Sequence, residues 1–513
     1  ITLGTATLTA GAAGDSEFSG VISGSGGLVK AGAGVLTLAG ANSYSGTTVV
    51  TAGTLQTGSE AALSQSALEV QAGTTFDLND FDQTVTGLSG AGAITLGTAT
   101  LTAGAAGDTS FSGVISGSGS LVKRGEGTLV LPNPNSYTGG TVLEQGRLVV
   151  GSNTALGTGQ VEAAGVDVVL QAGKTDLTMR NDLLLTRDLI VDTSGEAVRL
   201  TGSVAGEGRL IKFGTGTLIV TSDNSFSGGT EVASGTLALG VDAASSTGEI
   251  VMAADTTIVA ETALVLENAF KLRGAVVFDT QDFSVTLNNT LSNNSVGRLI
   301  KTGSGALTLN GANEYSGGTL IQEGVLRLNG SLASGIEVKP DTTLSGAGAI
   351  FGDLLNFGTV VPGASGQRST LLVSGDYVGQ GGIFSTRVYG NAGILEADQL
   401  LVQGEGNSAS GTTAIHINFP RELFGLATPE DGILLVDSAE GATSSPQACT
   451  APTVTAGAFH DRLVQGGASS TQSWYLRSEA RKETTLYASM PMLTREYRGE
   501  FKVPSPKIAS RRR

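Results

Sequence analysis

Residues Gly303–Gly330 read "GSGALTLNGANEYSGGTLIQEGVLRLNG". The chain carries the same sentence three more times: "GAGVLTLAGANSYSGTTVVTAGTL" from Gly32, "GEGTLVLPNPNSYTGGTVLEQGRL" from Gly125 and "GTGTLIVTSDNSFSGGTEVASGTL" from Gly214. Within each copy, short runs such as "GVLTLAG" and "GALTLNG" alternate apolar and polar side chains and are bounded by Gly, Asn and Ser. That is the pattern of half-buried strands about five residues long. No stretch of helical period separates them, which argues against βαβ units. A tandem unit whose interior is itself quasi-repetitive points to a solenoid, with strands stacked rung on rung and Gly and Asn at the corners.

The repetition extends beyond this sentence. Residues 1–30 recur almost verbatim at 94–123, differing only at Ser16/Thr109, Glu17/Ser110 and Gly27/Ser120. A Lys-ended marker returns at Lys30, Lys123, Lys212 and Lys301, so the long unit is 93, then 89, then 89 residues (30 to 123, 123 to 212, 212 to 301). "FDLNDF" from Phe76 and "FDTQDF" from Phe278 occupy corresponding places in units one and three. The fold expected is all-β: a right-handed parallel β-helix. With rungs of roughly 20–25 residues and ~4.8 Å between strands, about 450 residues make a rod on the order of 100 Å long.

Composition agrees. The 513 residues include 76 Gly, 11 Pro and 5% aromatics, which suits many short strands better than large aromatic cores. A hydrophobic content of 40% is too high for a disordered chain. A net charge of −16 speaks against a nucleic-acid partner, whose affinity needs clustered Lys and Arg. The single cysteine, Cys449, excludes a disulfide framework and reads as an isolated loop thiol.

Catalytic chemistry has few residues to rest on. The candidate acid/base carboxylates are Asp77, Asp80 and Asp82, with Asp279 and Asp282 in the equivalent stretch of unit three. Their structural reading is strand-end and turn residues. Only two histidines exist, and His460 and Asp461 are neighbours whose side chains would leave a strand on opposite faces. No G-x-S-x-G elbow and no calcium-binding nonapeptide occurs. The four marker lysines could line one face as a binding stripe but are expected to be solvated rung ends, and Tyr44, Tyr137, Phe226 and Tyr315 are expected to serve shape. No enzyme activity, cofactor or metal is expected.

The pattern GxGxLtLxGaNxYSGgTxvxxGxL resembles the passenger-associated transport repeat of bacterial autotransporters. All four copies match; Phe226 replaces Tyr in the third, Pro132 and Pro134 mark the second, and Thr47 stands for a second Gly in the first. Downstream, "LSGAGAIFGDLLNFGTVVPGASG", "STLLVSGDYVGQGGIFSTRVYG", "ADQLLVQGEG" and "SWYLRSE" resemble the autochaperone region of pertactin-like passengers. The resemblance implies a β-helical passenger at the bacterial surface or secreted, carried out by a C-terminal outer-membrane β-barrel. It implies a non-enzymatic virulence factor that binds a host protein or host surface. "SWYLRSEARKETTLYASMPMLTREY" is similar to the virulence-activated Bordetella members of this family, which implies capture of the plasma serpin C1 inhibitor and complement evasion. An autoaggregating adhesin rod, a stalk and a β-helical carbohydrate-acting enzyme are the alternatives.

The expected domains are residues 1–330 as four-unit β-helix, 331–487 as aromatic-enriched C-terminal cap and 488–513 as linker remnant with an added tail. Binding should concentrate where unit three departs from its siblings, across about 175–290. There "DLTMRNDLLLTRDLIVDTSGEAVRL" mixes Arg180, Arg187 and Arg199 with carboxylates, and the later stretch adds Phe270, Asp279 and Asp282.

Overall fold

The computed structural model describes residues 1–481 apart from 64–65, 105, 294–295, 364–367, 392–393, 424–425, 457–458 and 468–469, so the expected tail at 488–513 lies outside the described residues. The fold is a parallel β-helix of about 18 turns. At ~4.8 Å per turn it is about 85 Å long.

One rung is enough to show its construction. Leu28–Lys30 lies on a first face, Val35–Leu38 on a second and Ser43–Tyr44 on a third. The chain then returns as Thr48–Val50 beside Leu28–Lys30, with Leu28 opposite Thr48. Strands are three to five residues long along most of the rod, and their side chains alternate in and out, as in Val168–Ala172, where positions 168, 170 and 172 are buried. Like side chains therefore pile up inside: Leu36, Leu55, Phe76, Ile94 and Ile115 are in register and buried on the second face. Each such aliphatic or aromatic side chain contributes about 1.5–3 kcal/mol when fully buried. The corners need backbone that only Gly adopts without strain. At Gly53, φ is +63° and an added Cβ would sit 2.6 Å from the carbonyl oxygens of Gly32 and Gly34 in the rung beside it.

Repeat and rung are out of step. From Lys212 the first face runs Lys212, Val232, Met252, Leu272, Asn293, which is four rungs, before the chain reaches Lys301 on the second face. From Lys123 the third face runs Lys123, Leu143, Ala163, Leu185, Gly206 before Lys212 on the first. Each 89-residue step thus advances four turns and one face. Lys30 lies on the first face and Lys123 on the third. The marker lysines therefore form no single stripe.

The stack crosses residue 330 without interruption, with Thr319 opposite Ile336 and Ile336 opposite Leu354. Two long strands, Tyr377–Asn391 and Ser408–Asn418, then turn a corner together, with a register shift between Gln380 and Gly382. Strand direction reverses after Ile433–Ala439, which pairs antiparallel with Trp474–Ala480. Phe459–Gln465 and Val454–Ala456 continue that antiparallel sheet. The reversal closes an edge that another parallel rung would otherwise have to cover. Trp474 is buried there, its Nε1 donating to Ser444 Oγ at 2.7 Å.

Candidate functional site

The repeated sentence is a set of three corner clamps. The first is lysine, and here the expectation of solvated rung ends is corrected. Lys30, Lys123, Lys212 and Lys301 are at most 2% exposed. Each Nζ donates to three main-chain carbonyls, two in its own corner and one in the corner of the next rung. For Lys30 these are Ala31 at 3.2 Å, Gly32 at 2.8 Å and Ala52 at 2.9 Å. For Lys212 they are Phe213 at 3.2 Å, Gly214 at 2.6 Å and Ser234 at 2.9 Å. Lys123 and Lys301 repeat the arrangement. Burial pulls the Lys30 ammonium down and those of Lys123, Lys212 and Lys301 down to about 8. The inward direction was legible in the alternation: Leu28 points in, Val29 out and Lys30 in.

The second clamp is the motif Asn. Asn42 Oδ1 accepts from Ile22 N at 2.8 Å and its Nδ2 donates to Ala62 O at 2.8 Å, joining the rungs on either side. Asn135 and Asn224 do the same. The third is the motif Tyr, buried, with its hydroxyl on the Thr four residues on: Tyr44–Thr48 at 2.7 Å, Tyr137–Thr141 at 2.6 Å and Tyr315–Thr319 at 2.5 Å. Where Phe226 lacks the hydroxyl, Thr230 Oγ1 donates to Ser245 O instead, at 2.9 Å.

The carboxylates act as turn acceptors. Asp80 Oδ1 accepts from Thr98 N at 2.7 Å, and those hydrogen bonds hold its carboxyl below the usual range. Asp82 Oδ1 accepts from Thr100 N at 2.7 Å, and Asp77 accepts from Gln56 and Thr95. Cys449, expected in a loop, is instead buried in the short strand Cys449–Thr450, and burial pushes its thiol up to about 12. Among the described residues, no three His, Cys, Asp or Glu side chains group to hold a metal ion.

The predicted binding residues are scattered. Arg180 and Arg187 are exposed at two different corners, after Leu177–Met179 and after Leu183–Leu185. Arg199 and Asp279 share one outward column of the second face, separated by Ile219, Ala238 and Val259. Asp279 and Asp282 line a shallow hollow with Glu323, and Asp279 opposes the downward pull on Lys301. Phe270 is a correction: it is 1% exposed, its ring edge-to-face with Phe278 at 6.2 Å, because it shares the inward parity of Leu272. It is core and cannot touch a partner.

Sequence reasoning passed over the first face of unit three. Phe213 is 51% exposed at a position filled by Ala31, Arg124 and Thr302 in the sibling copies. An outward column of Val169, Ile190 and Ile211 adjoins it. Ion pairs frame this strip. Arg147 meets Asp192 at 2.8 Å, and Glu231 is held by Arg209 and Arg273, each at 2.8 Å.

Residues 28–57, 121–150, 210–239 and 299–328 match the Passenger-associated-transport-repeat family, and residues 353–463 match Autochaperone Domain Type 1. Adhesin BmaC autotransporter of Brucella suis biovar 1 (strain 1330) is 33% identical over 339 residues, 60% of this chain and 10% of that protein. Probable autotransporter YfaL of Escherichia coli (strain K12) is 29% identical over 518 residues, 90% of this chain and 39% of that protein. The crystal structure of the Haemophilus influenzae Hap adhesin aligns with a TM-score of 0.34 at 12% identity, covering 89% of this chain and 64% of that one. The chain spans two-fifths or less of the length of these two curated relatives. The matched segments are those of autotransporter passenger domains, and they support a surface-exposed or secreted localisation.

Proposed function

We propose that this passenger is a non-enzymatic adhesin that docks a host protein on its first face, the plasma serpin C1 inhibitor being the first to test. The observation that carries the reading is Phe213. It is a half-exposed aromatic placed where stacking asks for no particular residue, beside an aliphatic strip and framed by arginines whose charges are already paired. Buried aromatic and arginine anchors carry most interface energy. The candidate acid/base carboxylates Asp77, Asp80 and Asp82 are occupied by turn hydrogen bonds, which favours a binding role over hydrolysis.

The test is capture from human plasma on the immobilised chain, followed by mass spectrometry, with purified C1 inhibitor as a direct probe. Phe213→Ser should weaken the captured partner at least about tenfold, a loss of ~1.4 kcal/mol. Undiminished capture by a folded Phe213→Ser protein removes the first-face assignment. Retention of other chains of this protein alone would favour the autoaggregating reading.

A further inference from the structure

The third face between Leu264 and Gly346 carries a polar array that the shared motif does not require. Its strands align Val265, Thr286, Thr308, Arg327 and Ser345 in consecutive rungs at positions of outward parity, Thr308 and Ser345 being covered there. Two residues further along each of the first four strands stands a second column: Glu267, Asn288, Asn310 and Asn329. These are linked in a chain of side-chain hydrogen bonds. Asn288 Nδ2 donates to Glu267 Oε1 at 2.5 Å, Asn310 Nδ2 to Asn288 Oδ1 at 2.7 Å and Asn329 Nδ2 to Asn310 Oδ1 at 2.9 Å. An amide has two N–H donors and two carbonyl lone pairs, so each Asn keeps donor and acceptor capacity in hand after serving the ladder.

The neighbouring column has an unmet demand. Arg327 Nε and Ser345 Oγ are both shielded from water and have no hydrogen-bond partner among the described residues, and Ser345 is only 7% exposed. They belong to residues directly opposite each other in adjacent rungs. No carboxylate among the described residues lies within ion-pair distance of Arg327, although the chain carries 46 Asp and Glu against 30 Lys and Arg. A buried donor left unmade costs about 1–3 kcal/mol, so such a group in a native fold calls for a reason.

The sibling copies show that the fold does not ask for these residues. Asn310 corresponds to Ala39, Pro132 and Thr221. Arg327 corresponds to Gln56, Val149 and Ala238, and Asn329 to Gly58, Gly151 and Gly240. In unit four the clamps are made by Lys301, Asn313 and Tyr315, all buried. The outward positions are free to specialise, and here they specialise as amides, three hydroxyls and a cation with no ion pair among the described residues.

We infer that this face binds a glycan bearing a single carboxylate, Arg327 taking the carboxylate and the Asn288–Asn310–Asn329 ladder the ring hydroxyls. Donors and acceptors repeat here at ~4.8 Å across strands and about 6.6–6.8 Å along them. That rigid lattice suits a ligand that offers hydroxyls at close intervals. Guanidinium and carboxylate form a strong, charge-assisted pair, and the half-buried Arg327 offers it through the terminal guanidinium nitrogens, which are not among its shielded atoms. The net charge of −16 repels a polyanion, which is why one carboxylate rather than a sulfated chain is inferred. Apolar anchors for a protein partner are lacking on this patch, where Val265 at its margin is the one large exposed aliphatic. The inference extends the adhesin reading but does not depend on the Phe213 strip.

The experiment titrates the intact chain with sialyl-lactose, lactose and heparin by calorimetry. Sialyl-lactose should bind at least about tenfold more tightly than lactose, the difference expected of one charge-assisted pair. Arg327→Gln should abolish that preference, and Asn310→Ala should weaken sialyl-lactose several-fold while leaving the preference in place. Phe213→Ser should change nothing here, which separates failure of this site from failure of the first-face reading. If Arg327→Gln does not fold, Arg327→Lys serves instead; it keeps the charge but loses the fork geometry, so it should reduce the preference without abolishing it, and an undiminished preference would overturn the inference. Equal binding of lactose and sialyl-lactose, binding of heparin alone, no binding of any probe, or binding unmoved by both substitutions would each overturn the inference.

Discussion

Replacing Lys212 with Met tests whether the buried lysines clamp the corners. Met keeps the length and apolar stem, so no large cavity opens. The substitution removes three hydrogen bonds from a charged donor, to Phe213, Gly214 and Ser234. At about 1.5–3 kcal/mol each these total roughly 6 kcal/mol. Against this stands the cost of holding the charge away from water. Burial lowers the lysine from 10.5 to about 8, a shift that corresponds to ~3.4 kcal/mol. The difference predicts that Lys212→Met destabilises by about 3 kcal/mol at pH 7. The cost should be larger at pH 9.5, where the native lysine has shed its charge penalty but still donates. Because solenoids open locally, guanidinium denaturation by circular dichroism should be joined to limited proteolysis mapped over residues 205–240. Equal or greater stability, with no new cleavage in that span, would refute the clamp.

Two further predictions concern the whole rod. The folded state releases protons from Lys123, Lys212 and Lys301 near pH 8, whereas the unfolded chain holds them to about 10.5. Between these values the unfolded state binds more protons, so the denaturation midpoint should rise from pH 7 to 9.5. Near pH 11 it should fall, because burial raises Tyr137, Tyr315 and Tyr377 and their hydroxyls ionise only after unfolding. A midpoint that drops between pH 7 and 9.5 would mean the carbonyl cradle outweighs desolvation. In unit four, Tyr315→Phe reproduces what copy three already has at Phe226 and should cost no more than about 1.5 kcal/mol. Tyr315→Ala should cost about 3–5 kcal/mol by opening a cavity. Both are read from denaturation midpoints, and similar losses for the two would show that the hydroxyl, and not the ring, carries the position.

Period-two alternation and the Gly-Asn-Tyr corners made the parallel stack readable from sequence. What misled was charge. Lys30 and Lys212 have the parity of buried Leu28 and Leu210, yet a charged side chain was assigned to solvent because carbonyl partners from the next rung, about 22 residues on, are invisible to local reading. Phe270 failed for the complementary reason, an aromatic taken for a contact although Leu272 shares its face. Arg327 and Asn310 could have been found by asking which outward positions differ among the copies. Which rungs bring them together depends on a register that no single repeat contains. The antiparallel turn of the chain around Trp474 is set by long-range pairing of Ile433–Ala439 with Trp474–Ala480, far beyond any local signal.

The mismatch between an 89-residue repeat and a three-sided rung has a consequence for a molecule presented on a surface. Had the repeat been a whole number of turns, all four copies would look one way and the rod would have a front and a blind back. Because successive copies are turned by a third of a revolution or more, Lys30, Lys123, Lys212 and Lys301 place their units on all three sides. A rod spinning about its own axis then always offers some copy to whatever lies beside it. No single rigid partner can grasp every copy at once, so a gain of affinity through repetition would need several partners arranged around the rod, or one flexible enough to wrap it.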